Sequence, residues 1–149
     1  MARGALTFAT GVAVLAVVGC GGEDQLTQAE LRQQANAICA RYDKQIDEIP
    51  VPSAVDAIPA YVAKAAPIVE DEIEALKELD PSDEDQKTFD QLIAEEEKTL
   101  AAGRALSDAA EADDDAAVEK ALNEGNIASS RADQHAQSLG LTECADEGE

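Results

Sequence analysis

The sequence predicts an all-α fold, an antiparallel four-helix bundle. Apolar residues recur at spacings of three and four along four segments, and the 130 residues after Gly19 include 25 alanines, the strongest helix formers. Val, Thr and aromatic residues never alternate with polar ones over a useful length. Leu, Ile, Val and Phe are only 24 of those 130 residues, a proportion typical of disordered chains, but the apolar period outweighs this composition. Short breaks between the segments favour antiparallel neighbours.

The first helix has the clearest start. Thr27 and Glu30 have the spacing of a capping box, and Leu26 and Leu31 flank it as a hydrophobic staple. The apolar stripe of this helix is Leu31, Ala35, Ile38, Tyr42, Ile46 and Ile49. We expect the helix to end at Pro50.

The second helix has two candidate starts and an internal proline. It begins either with Ser53 as its cap or with Pro59 as its first helical residue. Its stripe is Tyr61, Val62, Ala65, Ile68, Val69, Ile73, Leu76 and Leu79. Pro67 lies inside this pattern, so we expect it to kink the helix. The helix closes at Asp80.

The third helix begins at Ser82, where the acidic residues 83–85 complement the positive end of the helix dipole. We expect its buried face to be Phe89, Leu92, Ile93, Leu100 and Leu106. Gly103 is an interior glycine, which we interpret as the mark of a close helix crossing.

The fourth helix follows the break and cap at residues 113–115. We expect its inner face to be Val118, Leu122, Ile127, Ala128, Ala132, Ala136 and Leu139. Residues 123–126 are its weakest stretch, where it can fray, and Gly140 has the position of a left-handed C-terminal cap.

The first twenty residues have the pattern of a secretory signal. Arg3 gives the start a positive charge, and residues 5–18 contain no charged side chain. A transmembrane helix is the alternative, but a run of about fourteen apolar residues is short of the roughly 18 needed to span a bilayer.

The segment Val17-Val18-Gly19-Cys20 resembles the lipobox of bacterial lipoprotein precursors. The resemblance implies cleavage after Gly19 and a diacylglyceryl group on the sulfur of Cys20, with palmitate-type acyl chains as the membrane anchor. An ordinary signal peptide with a chance cysteine is the alternative. The expected organisation is a signal peptide at 1–19, a lipidated cysteine and flexible tether at 20–26, the bundle at 27–144 and an acidic tail at 145–149.

Anchoring would depend on the acyl chains alone. Removal of residues 1–19 takes away Arg3 and no acid, leaving 10 basic against 32 acidic side chains, a net charge of −22 that anionic lipid headgroups repel. Two acyl chains hold a protein to a bilayer where one does not. We therefore expect the chain on the extracytoplasmic face of the cell membrane.

Cys39 and Cys144 are the remaining cysteines. In an oxidising compartment two such thiols are most simply a disulfide, which would pin the C-terminal end of the chain across the first helix. Two free thiols are the alternative.

The residues around these cysteines, Ala35-Asn36-Ala37-Ile38-Cys39 and Leu139-Gly140-Leu141-Thr142-Glu143-Cys144, resemble small uncharacterised helical lipoproteins of actinobacteria. The resemblance implies a secreted helical domain with paired cysteines. It brings no activity and no functional residues with it.

The sequence does not predict an enzyme, a cofactor or a metal site. His135 is the one histidine, and Asp133 is too near in sequence to share its face of a helix, so we expect His135 at a surface or boundary. No glycine loop for phosphate and no nucleophile constellation is present.

Three acidic runs, at 80–85, 95–97 and 113–115, are expected to be solvated helix faces and caps. Calcium binding is the alternative for them. A calcium loop counted from Asp80 fails, because Asp85 stands where glycine is needed and Gln91 where glutamate is needed.

The net charge of −21 excludes nucleic acid as a partner, because phosphate binding needs Lys and Arg. We expect a membrane-anchored, non-catalytic binding or interaction module whose partner is an envelope protein or another cationic partner. The alternative is a lipoprotein that binds a small ligand or a divalent cation. An interaction module should expose a contiguous patch, whereas a ligand carrier should contain a cavity with convergent polar groups.

The lipid anchor is tested by Cys20→Ala. Without the cysteine sulfur there is no lipid, so the variant should leave the membrane fraction and appear in the soluble fraction on immunoblots. A variant that stays membrane-bound after losing its signal segment would contradict the assignment of Cys20.

Overall fold

The computed structural model describes residues 25–145, which form four α-helices and no strand. The elements are α1 (Gln28–Asp47), α2 (Ile58–Lys77), α3 (Asp83–Glu111) and α4 (Asp115–Leu139), with short 3-10 turns at Val55–Ala57 and Thr142–Cys144. The predicted all-α class is confirmed. Among these residues no helix is both long and apolar enough to cross a membrane. The predicted signal segment, the predicted lipidation site Cys20 and residues 146–149 lie outside the described range.

One end of the bundle collects the start of α1, the loop between α2 and α3, and the end of α4. The backbone N–H of Leu26 donates to the carbonyl of Asp80 at 2.7 Å. Arg32 Nε donates to the carbonyl of Leu139 at 2.8 Å. Because α1 begins where α2 and α4 end, it runs antiparallel to both.

The start of α1 has the predicted capping box. Thr27 Oγ1 accepts a hydrogen bond from the backbone N–H of Glu30, and the Thr27 N–H donates to Glu30 Oε2 at 2.9 Å. The bond from the Thr27 hydroxyl is the main reason that the pKa of Glu30 lies below its usual value. Leu31 belongs to the core and the partly buried Leu26 packs against it, as the hydrophobic staple requires.

The start of α2 is closer to the second of its two candidate positions. Ile58 is its first residue and Pro59 its second, and Ser53 is not its cap. Pro67 lies inside α2 as expected, and the helix continues through it. Because proline has no N–H, the helix lacks the hydrogen bond to the carbonyl one turn earlier.

The buried face of α4 differs from the prediction. Leu122 and Ile127 were expected inside, but they are 45% and 44% exposed. The side chains that are buried are Ala121, Ala128, Ala132, Ala136 and Leu139. At about 100° per residue, Leu122 and Ile127 point roughly 100° and 120° away from this alanine face, on opposite sides of it.

The close helix crossing predicted at Gly103 is not present. A Cβ added at Gly103 would meet nothing within 4 Å, so this glycine marks no crossing. A Cβ at Gly125 of α4 would lie 3.5 Å from the Cβ of Ala102 of α3. Residues 123–126 accordingly remain helical, because α4 packs against α3 there.

The end of α4 is a left-handed cap, as predicted. Gly140 has a φ of 74°, and the N–H of Leu141 donates to the carbonyl of Ala136 at 2.9 Å. Leu141 is fully buried. The chain then turns back towards α1.

The turned-back segment, residues 141–145, is called the tail below. The Cys39–Cys144 disulfide, with an S–S distance of 2.06 Å, bonds it to the middle of α1 and confirms the predicted bridge. The backbone N–H of Glu143 also donates to Asn36 Oδ1 at 3.0 Å. The tail therefore lies across α1.

Gly140→Ala and Gly103→Ala should change stability in opposite directions. A Cβ at Gly140 is strained at this φ and would lie 2.6 Å from Arg32 Nε, so Gly140→Ala should lower the unfolding free energy by about 1–2 kcal/mol. Gly103→Ala adds a methyl group in open space inside a helix and should raise it by about 0.5–1 kcal/mol. Urea unfolding midpoints measure both. A shift of the same sign for the two variants would contradict this account of the cap.

Candidate functional site

A partly open cavity of about 380 Å³ lies between the helices, beside the disulfide. Each helix and the tail contribute at least one carboxylate to its walls: Asp43 and Asp47 from α1, Glu72 from α2, Glu96 from α3, Asp133 from α4 and Glu143 from the tail. Among the residues that line it, all of them described, none is Lys, Arg or His. The cavity is therefore a region of concentrated negative potential.

Helical spacing brings these carboxylates to the core. Glu72 lies one turn before Leu76 on α2, and Glu96 lies one turn after Leu92 on α3. Both leucines are almost completely buried, at 2% and 0% exposed, and both line the cavity. The two glutamates themselves are half-buried, so the cavity is a direct continuation of the hydrophobic core.

The same spacing places the acids of α1 and α4. Cys39, Asp43 and Asp47 follow each other at intervals of one turn on α1. Ser129 and Asp133 do the same on α4. Since Cys39 is also the α1 partner of the disulfide, the bond and the carboxylates share one face of this helix.

The tail supplies the remaining wall. Glu143, Cys144 and Ala145 all line the cavity. The tail contacts both α1 and α4, and the disulfide fixes it to the first of them. The cavity therefore depends on the Cys39–Cys144 bond for part of its boundary.

The electrostatics of the cavity raise the affinity of two glutamates for protons. Burial raises the pKa of Glu72 to about 8, with further increases from the charges of Glu96 and Asp43. Burial also raises the pKa of Glu96 to about 7, together with the charges of Asp133 and Asp43. Near neutral pH both groups therefore hold protons that an exposed glutamate would have lost.

An apolar cleft of about 440 Å³ adjoins the cavity. Asp43, Ile46, Glu72 and Glu96 line both spaces, so the two adjoin along these four residues. The remaining walls of the cleft are largely apolar: Tyr61, Val62, Ala65, Ala66, Val69, Leu100 and Gly103, with Thr99. The site thus has a carboxylate side and a hydrocarbon side.

The run 95–97 does not form the solvated face that was expected. Glu95 is only 8% exposed, and its Oε1 accepts from Lys98 Nζ at 2.7 Å. Glu96 lines the cavity, and Glu97 forms an exposed ion pair with Lys77 of α2. Successive residues of a helix point about 100° apart, so three adjacent acids occupy three environments.

The other acidic runs are structural. Asp83 Oδ1 accepts from Gln25 Nε2 at 3.1 Å, and the buried Asp85 accepts from Ser82 Oγ at 3.2 Å. Asp114 caps α4 by accepting from the N–H of Ala117 at 3.0 Å. Asp114 therefore has the expected capping role, whereas Asp83 and the buried Asp85 bond to side chains and cap no helix.

His135 is half-buried on α4 and does not line the cavity. Within residues 25–145, no three side chains of His, Cys, Asp or Glu are gathered closely enough to hold a metal ion. The carboxylates of the cavity are instead spread over its walls.

Sequence reasoning missed Asp43, Glu72 and Asp133 as members of one site. The signal that could have found them is a charge at the border of an apolar stripe. Asp43 follows Tyr42, Glu72 precedes Ile73, and Asp133 follows the buried Ala132.

Comparisons of the chain with models of protein families, with curated proteins and with solved structures give no match.

The raised pKa values predict a pH-dependent stability. The folded chain holds protons on Glu72 and Glu96 that the unfolded chain binds only below about pH 4.5, so their stabilising contribution is full below that pH and is lost as the pH rises through about 7 to 8. A Glu72→Gln/Glu96→Gln variant should be more stable than the wild type at pH 9 by on the order of 1–3 kcal/mol, and should lose this advantage at pH 4.

The matched control is Glu111→Gln/Glu119→Gln, which removes two exposed carboxylates and lines no part of the cavity. Urea unfolding at pH 4, 7 and 9 measures all three proteins. If the cavity variant and the control showed the same pH profile, general charge repulsion would explain the effect and the cavity would not.

Proposed function

We propose that this chain is a lipid-anchored extracytoplasmic module that binds a small cationic ligand, without catalysis, in the cavity between its helices. The observation that carries the proposal is the convergence of carboxylates from all four helices and the tail on one cavity. Its volume of about 380 Å³ falls in the range of small-molecule sites. The perturbed carboxyl groups at its centre are of the kind that occur at functional sites.

A cation supplies what the cavity lacks. Glu72 and Glu96 face other carboxylates, and no basic side chain lines the space to balance them. A positive charge placed there would be partly shielded from water and would interact with several acids at once. An anion would add to the repulsion, so the negative charge of the cavity favours a positively charged ligand.

The large apolar side chains that are exposed in the described residues are Val51 and Val55, between α1 and α2, and Leu122 and Ile127 of α4. Leu122 and Ile127 are the large apolar residues exposed on α4, but they point about 140° apart around the helix and so form no common patch. An envelope protein or a polycation as partner is supported by the net charge alone. A ligand site in the cavity also accounts for the convergence of carboxylates from all four helices and the tail, which the net charge alone does not explain.

Membrane attachment through Cys20 is part of the proposal and is supported by the lipobox pattern. The described chain begins at Gln25, at the end of the bundle where α1 starts. A tether of about six residues spans on the order of 13 Å, which would hold this end close to the bilayer. The apolar cleft, which contains Ile46 and Tyr61 near the loop between α1 and α2, lies towards the opposite end.

Thermal unfolding of the purified lipoprotein in detergent, with a panel of small organic cations, divalent cations and matched organic anions, tests the proposal. At least one class of cation should raise the Tm with saturation, and no anion should. Glu72→Gln/Glu96→Gln should abolish the effect, whereas the control Glu111→Gln/Glu119→Gln should retain it.

Two results would contradict the cavity as the site. One is that no cation raises the Tm. The other is that the cavity variant and the control respond equally, which would indicate diffuse attraction to an acidic surface. A saturable response to Ca²⁺ alone, with fixed stoichiometry, would assign the site to a divalent ion.

A further inference from the structure

We infer that the cavity and the adjoining cleft form one site for an amphiphilic amine, a ligand with a single ammonium group and a hydrocarbon body. This inference rests on the proposed function and specifies the class of its cationic ligand. It follows from the adjacency of two spaces with different chemistry, which share the lining residues Asp43, Ile46, Glu72 and Glu96.

The boundary between the two spaces fixes the position of the ammonium group. Asp43, Glu72 and Glu96 line both the cavity and the cleft, so a cation at this boundary would be attracted by carboxylates of α1, α2 and α3 without contacting all three at once. Charge-assisted hydrogen bonds from an ammonium to carboxylates are about twice as strong as neutral ones. Asp133 and Glu143 add negative charge from the far wall of the cavity.

The cleft provides the surface for the hydrocarbon body. Val62, Ala65 and Val69 of α2 face Leu100 of α3 across it, and Tyr61 lies beside them. Each methylene group moved from water into such surroundings strengthens binding about fourfold. The cleft of about 440 Å³ is large enough to make this gain the main source of affinity.

The spread of charges distinguishes this ligand from a metal ion and from a polyamine. The carboxylates of the site stand on separate helices, and within the described part of the chain no three acids, histidines or cysteines are close enough to hold one ion. A polyamine carries charges along its whole length. The only acids on the cleft are the three at its boundary with the cavity, so further ammonium groups there would be desolvated without partners.

Binding should also release protons. The titratable groups that face the ammonium position are Asp43, Asp47, Glu72, Glu96, Asp133 and Glu143, with Tyr61 in the cleft. At pH 7 burial and mutual repulsion keep Glu72 and Glu96 partly protonated. An ammonium group favours their ionised forms, so part of its binding is an exchange for protons.

Calorimetry of the detergent-purified lipoprotein at pH 7, with detergent alone as the blank, tests the inference. The probes are n-hexylamine, ethylamine, spermidine and CaCl₂. Hexylamine should bind at least tenfold more tightly than each of the other three. Phosphate and Tris differ in ionisation enthalpy, so a difference in the measured binding enthalpy of hexylamine between the two buffers would show proton release. If no protons were released, the result would count against binding of the ammonium group at Glu72 and Glu96.

A matched pair of variants locates the hydrocarbon body. Val62→Ser places a hydroxyl group in the cleft and should weaken hexylamine binding by about tenfold, with little effect on ethylamine. Val118→Ser makes the same change at a half-buried valine of α4 that lines neither space, and should leave both affinities unchanged.

The outcomes separate this inference from the proposed function. Tighter binding of spermidine or Ca²⁺ than of hexylamine, or equal effects of Val62→Ser and Val118→Ser, would contradict the inference of an amphiphilic ligand. Neither result would contradict the proposal that the cavity binds cations. If none of the four probes bound, both proposals would fall.

Discussion

The bond between Cys39 and Cys144 is the constraint on which the rest of this structure depends. It joins the middle of α1 to the tail that follows α4, across 105 residues of sequence. A cross-link of this length removes a large part of the conformational freedom of the unfolded chain. This gain in stability matters because, among residues 25–145, ten of the twenty buried hydrophobic side chains are alanines, which contribute little apolar area each. The same bond holds Glu143 and Ala145 against the cavity, so the feature that stabilises the fold also shapes its candidate site.

The cavity works against that stability. Six carboxylates are collected around one space that no basic side chain lines, and two of them are shifted to hold protons near neutral pH. Most other acids of the described chain lie where they cost little stability, at the first turn of α3, at the cap of α4 and in exposed ion pairs such as Arg104–Glu70. The exceptions are the buried Asp85 and the buried Glu95, whose Oε2 accepts no hydrogen bond. Acids gathered against the core are the kind of local conflict that natural sequences retain at functional sites. This contrast is the physical reason for placing the function at the cavity.

Much of the fold could be predicted from local sequence. The Thr27–Glu30 capping box, the Gly140 cap and the break predicted at residues 113–115 depend on near neighbours. The structure has the first two as predicted and places the break one residue earlier, at 112–114. The predicted inner face of α4 is confirmed at Ala128, Ala132, Ala136 and Leu139. It is wrong at Leu122 and Ile127, because the prediction included the largest apolar residues. Which face of a helix is buried depends on its neighbours, and α3 approaches α4 so closely, at Ala102 and Gly125, that alanine fits where leucine does not. The candidate site was missed for a related reason. Glu96 is one of three adjacent glutamates in sequence, and only the packing of α1, α2 and α4 shows that it faces the cavity while Glu95 and Glu97 do not.

The role of the disulfide is tested most directly by Cys39→Ser/Cys144→Ser. Thermal unfolding and hydrogen exchange should be measured on this variant and on the oxidised wild type. The account predicts a Tm lower by on the order of 10 °C, together with a loss of protection at the backbone N–H groups of Leu141 and Glu143, because a tail that is no longer bonded to α1 opens more readily. An unchanged Tm with full protection of the tail would show that packing alone holds the tail, and would contradict the account.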